Sequence, residues 1–404
     1  MSMGATKVLV TDGNTRAALA IARALGRESC VVIVGSEKHP CLASESRFCA
    51  GRVTYPSPTG DYAGFLERLT EILERIRPDV LLPVTDITTL IAAEHRATLV
   101  RHCAIPFPDY SAVQKAADKV GVTQLADRLG VPVPRTLYVN DRREAEDRID
   151  AAAALGYPVV IKPARSRVRE GNGWKSHGVS YADDEVQLRR SLQGLGESGG
   201  LPVLLQERIV GDGVGLFLFM DAGRAVAVFG HRRLREKPPS GGVSVLRESV
   251  AVRKELQNYS ERILRALNWQ GVAMVEYKQD SRTGRFVLME INGRFWGSLQ
   301  LAIDAGVNFP VLLAKAAIGQ ATHPVGDYRI GVKSRWFWGD VDALLARLFK
   351  SDRELQLPPG HPGRLKTLLR FLNLWEKDTR YEVLDWDDIR PWIYETRCWF
   401  SGST

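Results

Sequence analysis

The sequence predicts an α/β plus α+β protein with a doubly wound N-terminal domain, a central body rich in antiparallel strands, and a C-terminal extension. Two observations predict this class. Over the first hundred or so residues, short apolar runs alternate with amphipathic helical runs, which is typical of a parallel sheet. Beyond residue 200, apolar strand-like runs follow one another with a single helical run among them, and this order favours an antiparallel sheet.

The N-terminal elements follow a β-turn-α-β order. The pattern predicts strands at 7–11, 30–35 and 78–83 and helices at 16–26 and 62–77. The turn after the first strand lacks the GxGxxG fingerprint, so a dinucleotide cofactor is not expected there. Ligands of open α/β sheets bind beyond the carboxyl ends of the strands, which makes Asp12, Asn14 and Asp86 candidates for substrate contacts. For Asn14, capping of a turn or helix is the favoured role. For Asp86, capping and substrate contact are about equally expected.

The pattern changes near residue 109. We expect one helical run at 111–129, a hard break at 130–134, and a strand at 157–163 that ends in Lys162 and Pro163. The cationic segment 164–178 has no hydrophobic periodicity, so it is either a mobile lid or a binding loop.

The second half of the chain predicts the antiparallel sheet and a tail. We expect strands at 203–207, 216–220, 225–229, 272–278 and 285–291, a turn at 211–213, and a helix at 255–267. Substrate specificity is expected from the N-terminal strand ends, the segment 236–248, and the aromatic tail around Trp336, Trp338 and Trp386. The tail is a substrate lid, a packing cap or a dimer contact, and packing is favoured because tryptophan mostly supplies buried area.

Composition limits the function classes. The 404 residues carry a net charge of +8 with a pI near 9.2, and no nucleic-acid motif accompanies this charge, so polyphosphate binding is favoured over nucleic acid. No stretch approaches the roughly 20 apolar residues of a membrane span, and the first ten residues do not form a signal peptide. Five cysteines without zinc-like spacing fit reduced thiols in a cytoplasm.

The stretch 289–298 carries the sharpest chemical signal. Residues two apart on a strand face the same side, so Glu290 and Asn292 point together, and Glu276 lies on another predicted strand. Two carboxylates and an amide oxygen are hard ligands of the type that Mg²⁺ uses beside nucleotide phosphates. The alternative, a surface ion pair between Glu290 and Arg294, is weaker because both glutamates interrupt apolar runs.

Three weaker signals point to phosphate and nucleotide contacts. Lys162 ends a strand beside a cationic segment, where phosphate binding and a solvated strand end are equally expected. The segment 205–209 runs from a strand into a hinge, where its exposed backbone N–H and C=O groups can form hydrogen bonds with the edge of an adenine ring. The basic segment 230–242 contains Arg232, Arg233 and Arg235 before Gly241 and Gly242, and it is either a carboxylate or phosphate site or a solvated loop.

Three stretches carry a resemblance to a known superfamily: HRRLRE at 231–236, GVAMVEYK at 271–278 and LMEINGRFWGSLQLAI at 288–303. With the order of parts around them, they resemble the ATP-grasp superfamily of biotin carboxylase, the carbamoyl-phosphate synthetase large chain and D-alanine–D-alanine ligase, and look closest to its predicted carboxylate–amine ligase branch. The resemblance implies a Rossmann-like pre-ATP-grasp domain at 1–110, a small lobe with a phosphate lid at 111–205, a large lobe with a Mg²⁺ site at 206–325, and an extension at 326–404.

The resemblance also implies roles for individual residues. Nucleotide binding is implied for Lys119 and Lys162, and an adenine hinge for Gln206, Glu207 and Ile209. The implied ligands of Mg²⁺, or of Mn²⁺ in its place, are Glu276, Glu290 and Asn292. Arg294 is implied to stabilise the transferring phosphoryl group, and Arg233 to be a second phosphate or carboxylate contact. Asp212 is expected to replace a ribose-binding glutamate, because Gly213 stands at its usual position.

The function implied is a cytoplasmic ADP-forming carboxylate–amine ligase. It would use ATP, a small-molecule carboxylate and a small-molecule amine, with no nucleic-acid or membrane partner, and a homodimer stays open. Two other functions also stay open: carboxyphosphate-type carboxylation or transfer to a non-amine acceptor, and a catalytically silent nucleotide-binding protein. The segment 164–178 is not the compact glycine run of many relatives, so the lid is expected to close differently.

Overall fold

A computed structural model describes residues 3, 5–197, 200–239, 241–357, 360–374 and 376–402. Ser240, which belongs to the predicted basic segment 230–242, lies outside the described residues. The architecture is mixed α/β, with three main sheets and a two-stranded hairpin.

The N-terminal sheet is parallel throughout, with strand order β3-β2-β1-β4. Its elements are β1 (Lys7–Val10), α1 (Arg16–Arg27), β2 (Val31–Ser36), β3 (Cys49–Thr54), α2 (Tyr62–Ile76), β4 (Val80–Leu82), α3 (Asp86–Glu94) and α4 (Arg96–Leu99). Thr15 caps α1 by accepting from the N–H group of Ala18, and Thr85 caps α3, so helices begin at the strand ends. The strand β3 was not predicted, because its small and polar residues form no apolar run.

The second sheet is antiparallel, with strand order β5-β10-β6-β9. This part contains α5 (Tyr110–Ala117), α6 (Lys119–Arg128), β5 (Thr136–Val139), α7 (Arg142–Ala153), β6 (Val159–Pro163), β7 (Arg167–Glu170), β8 (Gly173–Ser176), β9 (Ser180–Ala182), α8 (Glu185–Glu197) and β10 (Val203–Gln206). The prediction of one helix at 111–129 is wrong. Asp118 adopts an extended conformation between α5 and α6, and its carboxylate accepts from the N–H groups of Val120 and Gly121.

The large sheet has seven strands in the order β15-β14-β11-β12-β13-β16-β17. Its part of the chain contains β11 (Gly211–Asp221), β12 (Arg224–Lys237), β13 (Val243–Val250), α9 (Lys254–Ala266), β14 (Gly271–Asp280), β15 (Phe286–Asn292), α10 (Leu299–Ala305), α11 (Phe309–Ala317), β16 (Lys333–Arg335), α12 (Phe337–Phe349), α13 (Arg364–Leu372), β17 (Thr379–Tyr381) and α14 (Arg390–Phe400).

Two predicted irregular segments belong to strands of this sheet. The expected turn at 211–213 is the start of β11, because its residues pair with 278–280 of β14. Most of the basic segment 230–242 is likewise the end of β12, which pairs with β13. The sequence underestimated both strands because glycines and charges interrupt their apolar alternation.

Alternation along the strands buries both faces of the large sheet. Phe217 and Met274 face a core shared with the N-terminal sheet, whereas their neighbours Leu218 and Val275 face a second core that contains Trp269. The second sheet packs against α7 and α8 in a core of its own. The N-terminal and large sheets are thus joined by one apolar core.

Buried ion pairs fix the C-terminal segment onto both of these sheets. Glu382, just after β17, pairs with Arg16 of α1 and with Arg247 of β13, and both the Glu382 and Arg247 side chains are excluded from solvent. Asp388 similarly pairs with the buried Arg23 of α1 at 2.9 Å. The tail is therefore part of the folded body.

Among the described residues, no single helix is long and apolar enough to span a membrane, and α10 and α11 reach that length and apolarity only as a pair bent by 93°.

We expect Glu382→Gln to lower the free energy of unfolding by about 3–5 kcal/mol, because it leaves two guanidinium groups in the interior without a countercharge. The measurement is chemical denaturation of both proteins at pH 7. Glu376→Gln is the control, since its pair with Lys333 is 39% exposed on the glutamate side and is expected to contribute at most ~1 kcal/mol. Equal losses in the two variants would contradict this account.

Candidate active site

Two carboxylates face each other across neighbouring strands of the large sheet. Glu276 on β14 is directly opposite Glu290 on β15. The side-chain N–H group of Asn292 donates to Glu276 at 3.0 Å and to Glu290 at 3.3 Å. Among the described residues no group of three or more His, Cys, Asp or Glu could hold a metal, so a metal here would have two carboxylates and one amide as protein ligands. The structure brings together the three side chains that the sequence predicts to converge.

The two carboxylates have different electrostatic surroundings. Burial raises the pKa of the Glu276 carboxyl, while Arg233 opposes the rise and Glu290 adds to it. Burial also acts to raise the pKa of Glu290, but the charges of Lys119 and Lys162 outweigh it, so that this pKa is lowered. Glu290 is therefore the more acidic member of the pair.

Arg233 lies against the first carboxylate. It forms ion pairs with Glu276 and, at 2.9 Å, with Glu236, and it donates to the carbonyl of Gly242 at 3.2 Å. Burial lowers its pKa, but the two glutamates reverse that effect and raise it above the ordinary arginine range. Arg233 thus stays charged at the wall of the site.

Arg294 connects the end of β15 to the N-terminal part of the chain. Its guanidinium group donates to Asp86 at 2.7 Å and to the side-chain oxygen of Asn292 at 3.0 Å. Burial acts to lower the pKa of Arg294, but Asp86 reverses this and raises it. The surface ion pair with Glu290 that was the simpler alternative does not form; Arg294 pairs with Asp86 instead.

Two lysines approach the carboxylates from the other side. Lys119, the first residue of α6, donates to Ser166 at 2.6 Å and lies 3.7 Å from Glu290. Lys162, near the end of β6, is only 8% exposed. Burial lowers the pKa of Lys162 to about 8, although Glu290 opposes this. Lys162 is therefore a buried cation, and the interpretation as a solvated strand end is wrong.

A cavity of about 440 Å³ lies between the second sheet and the large sheet. Its lining includes Lys162, Tyr181, Gln206, Glu207, Ile209, Arg233, Glu276, Lys278, Glu290, Asn292 and Arg294. Most of the predicted site residues therefore surround one space, and Lys119 reaches Glu290 from an adjoining cavity.

The predicted hinge residues differ in which of their hydrogen-bonding groups have no partner within the described part of the chain. Gln206 is buried and donates to Thr136 at 3.0 Å, but its side-chain oxygen has no hydrogen-bond partner within the described part of the chain. The Glu207 carboxylate and backbone N–H group are both bonded to Arg135. The carbonyl of Ile209 accepts from Lys278 at 3.2 Å. Gln206 therefore offers a free side-chain acceptor in this wall.

Asp212 does not line the cavity that contains the other predicted residues. Its position in β11 pairs with Gln279, and the side chain is exposed beside a neighbouring cavity that extends toward α12 and α13. Gly213 lines both cavities. The expectation that Asp212 replaces a ribose-binding glutamate finds no support in this geometry, because β11 directs alternate side chains to opposite faces.

Of the predicted strand-end residues, two have structural roles. Asp12 accepts from the N–H group of Thr85 at 3.0 Å and from the hydroxyl of Thr88 at 2.6 Å, so it ties the end of β1 to the start of α3. Asn14 accepts from the N–H group of Leu42. Asp86, by contrast, holds Arg294 at the site.

The segment 164–178 is a β-hairpin, β7–β8, which docks on the N-terminal part of the chain. At its tip, the backbone carbonyl and side-chain oxygen of Asn172 each accept from a first-turn N–H group of α2, those of Tyr62 and Ala63, at 2.9 Å. The N–H group of Trp174 donates to Thr59, also at 2.9 Å. Asn172 thereby supplies a helix cap from a distant segment. The sequence missed this hairpin because its charges hide the alternation.

Sequence reasoning also missed two cations. Lys278 lies two residues after Glu276 and lines the same cavity, so the period of two along β14 could have revealed it. Arg167, on β7, lines the spaces beside Asp86 and Arg294. No local signal marks Arg167, because its position follows from the docking of the hairpin.

The three tryptophans named in the aromatic tail differ in their exposure to solvent. Trp336 and Trp338 are half-buried and line a further cavity beside Arg294, together with Lys237 and Val243 of the predicted specificity segment. Trp386 is 83% exposed, so the packing interpretation is wrong for this residue.

Comparison with known proteins agrees with this geometry. Residues 202–337 match a family described as "ATP-grasp in the biosynthetic pathway with Ter operon". The carbamoyl phosphate synthase large chain of Thermotoga neapolitana is 24% identical over 327 residues, which are 76% of this chain and 28% of the relative. The chain therefore spans less than a third of the length of that relative.

Two solved structures have a similar fold. Biotin carboxylase from Campylobacter jejuni superposes with a TM-score of 0.64 at 16% identity, covering 81% of this chain and 74% of that one. The L-amino acid ligase from Bacillus licheniformis superposes with a TM-score of 0.60 at 15% identity, covering 78% and 75%.

Residues 202–337 thus match an ATP-grasp family, as the sequence resemblance implied, and the fold of the chain is similar to that of biotin carboxylase. The chain is homologous to the carbamoyl phosphate synthase large chain over 76% of its length.

We expect the ¹³C-NMR signal of Lys162 to titrate with a midpoint near pH 8, where the pKa is lowered by burial. The positive charge is present below that pH and is lost above it, whereas a solvated lysine titrates near pH 10.4. Lys162→Arg identifies the signal by its disappearance. A midpoint above pH 10 would contradict the buried setting.

We expect Asn172→Ala to loosen the β7–β8 hairpin, because the N–H group of Ala63 in the first turn of α2 loses its side-chain acceptor. Hydrogen exchange at 167–176 should accelerate, while exchange in β14 and β15 stays unchanged. Asn140→Ala, a change on the exposed loop before α7, is the control. Unchanged exchange in the hairpin would show that the contact contributes nothing to its docking.

Proposed function

We propose that this chain is an ADP-forming carboxylate–amine ligase that activates a carboxylate with ATP as an acyl phosphate and transfers the acyl group to an amine. One observation carries the proposal: the opposed carboxylates of Glu276 and Glu290 lie in a cavity whose walls also bear Lys162, Arg233 and Arg294. Such a wall combines metal-binding oxygens with groups that hold phosphate.

The cavity suits a nucleotide. The unpartnered side-chain oxygen of Gln206 can accept from an exocyclic amino group such as that of adenine. Lys119 and Lys162 approach the carboxylate pair and supply positive charge for phosphates. A carboxylate for the ribose is lacking at Gly213, and we assign no ribose contact to Asp212.

The carboxylate pair suits Mg²⁺, with Mn²⁺ as an alternative ion for the same ligands. Glu276, Glu290 and the amide oxygen of Asn292 would hold it. Because the Asn292 amide nitrogen now faces both glutamates, its oxygen would turn toward them on ion binding. When bound, the ion neutralises charge on the phosphates.

The side chains support the reaction in two stages. In the first, a substrate carboxylate oxygen attacks the γ-phosphorus of ATP, the bond to the bridging oxygen breaks, and ADP leaves. Arg294 and Arg233 hold the negative charge that develops on the transferred group. In the second, the amine nitrogen attacks the acyl carbon, phosphate leaves with the electron pair of the broken C–O bond, and the nitrogen loses a proton.

Two further proposals concern organisation. We propose the division into a pre-ATP-grasp domain (1–110), a small lobe (111–205), a large lobe (206–325) and an extension (326–404). Separate sheets support the first three parts, whereas β16 and β17 of the extension join the sheet of the large lobe. A cytoplasmic setting is supported by five free thiols. A homodimer is an open alternative that sedimentation would test.

We expect Glu290→Gln to abolish ADP release that depends on a carboxylate and an amine. The loss should exceed the roughly 10–100-fold typical of residues that only support a metal ligand. The measurement is ADP and phosphate release from Mg-ATP with a panel of amino acids, sugar acids and small carboxylates, alone and paired with amines. Glu248→Gln is the control, since Glu248 pairs with Arg232 elsewhere on the sheet.

The outcomes separate the alternatives. Release that requires both substrates and fails in Glu290→Gln supports the ligase. Release with bicarbonate and no amine indicates carboxyphosphate chemistry. Tight ATP binding without release for any pair indicates a nucleotide-binding protein without turnover, and absence of ATP binding overturns the proposal.

A further inference from the structure

A second cavity, of about 580 Å³, lies beyond Arg294 and extends to the C-terminal helices. Its lining includes Asn14, Arg16, Thr85, Asp86, Arg167, Lys237, Arg294, Trp336, Trp338, Asp342, Tyr394, Glu395 and Trp399. It shares Arg294 with the cavity of about 440 Å³ that contains Glu276 and Glu290, which we call the nucleotide cavity after its proposed ligand. The two cavities therefore meet where the acyl phosphate of the proposed reaction would form.

Arg16 and Trp336 lie between the reacting end and the far end of this cavity. A Cβ atom at Gly297, three residues after Arg294, would lie 3.2 Å from the Arg16 guanidinium group. Arg16 in turn stacks on Trp336, with 3.8 Å from its central carbon to the ring centroid. The indole N–H group of Trp336 donates to Glu395 at 2.8 Å. The cavity thus has a cationic end at Arg294 and an aromatic end at α12 and α14.

The aromatic end is rigid. Trp338 and Trp399 stack with ring centroids 4.2 Å apart and planes inclined by 23°. Each indole N–H group is hydrogen-bonded, that of Trp338 to Thr396 at 3.0 Å and that of Trp399 to Asp342 at 2.9 Å. These bonds fix the ring planes, and both rings remain half-buried at the cavity wall. A preorganised pair of indoles suits a flat apolar group, because stacking then needs little ordering of the wall.

Glu395 adds an unused polar group at this end. The residue is 8% exposed, one carboxyl oxygen accepts from Trp336, and the other has no hydrogen-bond partner in the described part of the chain. Burial raises its pKa to about 7, while Trp336 and Arg16 oppose the rise and Glu382 adds to it. A buried carboxyl group with a free oxygen is costly unless a donor reaches it.

We propose that this second cavity binds the amine substrate, and that this substrate is a primary amine with a flat aromatic body. The inference rests on the proposed ligase function. The amino group lies toward Arg294, where it attacks the acyl carbon, and the aromatic body lies against Trp338 and Trp399. A hydrogen-bond donor on that body reaches Glu395. The C-terminal extension thus selects the amine.

The test uses tryptamine as the probe, with ethylamine as the amine that lacks an aromatic body. Calorimetric titration into the full chain with MgADP is expected to give at least ~10-fold tighter binding of tryptamine than of ethylamine. Trp338→Ala should remove most of that difference, Trp338→Phe should retain it, and the exposed Trp386→Ala should match the wild type. Glu395→Gln should weaken tryptamine roughly threefold or more, because charge-assisted hydrogen bonds are stronger.

Each outcome bears on one of the two proposals. Equal binding of the two amines, or equal loss in Trp338→Ala and Trp386→Ala, overturns the aromatic-amine site. MgADP binding and the melting temperature, measured on every variant, separate a local loss from unfolding, and Trp399→Ala, which removes the other indole of the stacked pair, repeats the test if Trp338→Ala does not fold. Selective tryptamine binding without ADP release for any carboxylate would overturn the ligase and leave the site. Ligase turnover with small amines alone would overturn the site and leave the ligase.

Discussion

The shared carboxylate of Glu382 is the contact on which the arrangement of this molecule depends most. It lies between the guanidinium groups of Arg16 and Arg247, so three distant segments meet at one buried charge. Two cations near each other in the interior repel and lose hydration, and only a countercharge between them makes their burial tolerable. The same contact orients Arg16 against Trp336, which couples the N-terminal helix to the wall of the second cavity.

The need for countercharges also applies in the proposed nucleotide cavity, where the cations outnumber the glutamates that they surround. Glu276 and Glu290 face Arg233, Lys119 and Lys162. Arg233 and Lys119 are restrained by ion pairs, and the balance of these five groups stays positive, as a site for a polyphosphate requires.

The sequence predicted those parts of the fold and site that depend on local periodicity. Glu290 and Asn292 converge because residues two apart on a strand share a face, and this rule needs no tertiary information. It could not predict that Asp118 divides a helix, that Asn172 caps α2, or that Asp212 faces away from the cavity. Those features depend on which distant segments meet. The roles of the site residues remain predictions, because convergence fixes proximity and not chemistry.

The amine site belongs to the part of the chain where likeness to other proteins is least informative. The family match covers residues 202–337 and so ends at the start of α12, before the indoles of Trp338 and Trp399. The family match therefore includes the reacting groups Glu276, Glu290 and Arg294 but not the far wall of the second cavity. Arg167 lines the second cavity and the smaller cavity beside Lys119, and it lies on a hairpin that Asn172 ties to α2. The carbonyl of Thr59 accepts from the N–H group of Trp174 in this hairpin, and Thr59 also lines the cavity at the ends of the N-terminal strands. The backbone around Thr59 therefore both borders that cavity and holds the hairpin. The position of Arg167 therefore depends on the same backbone segment that borders this cavity.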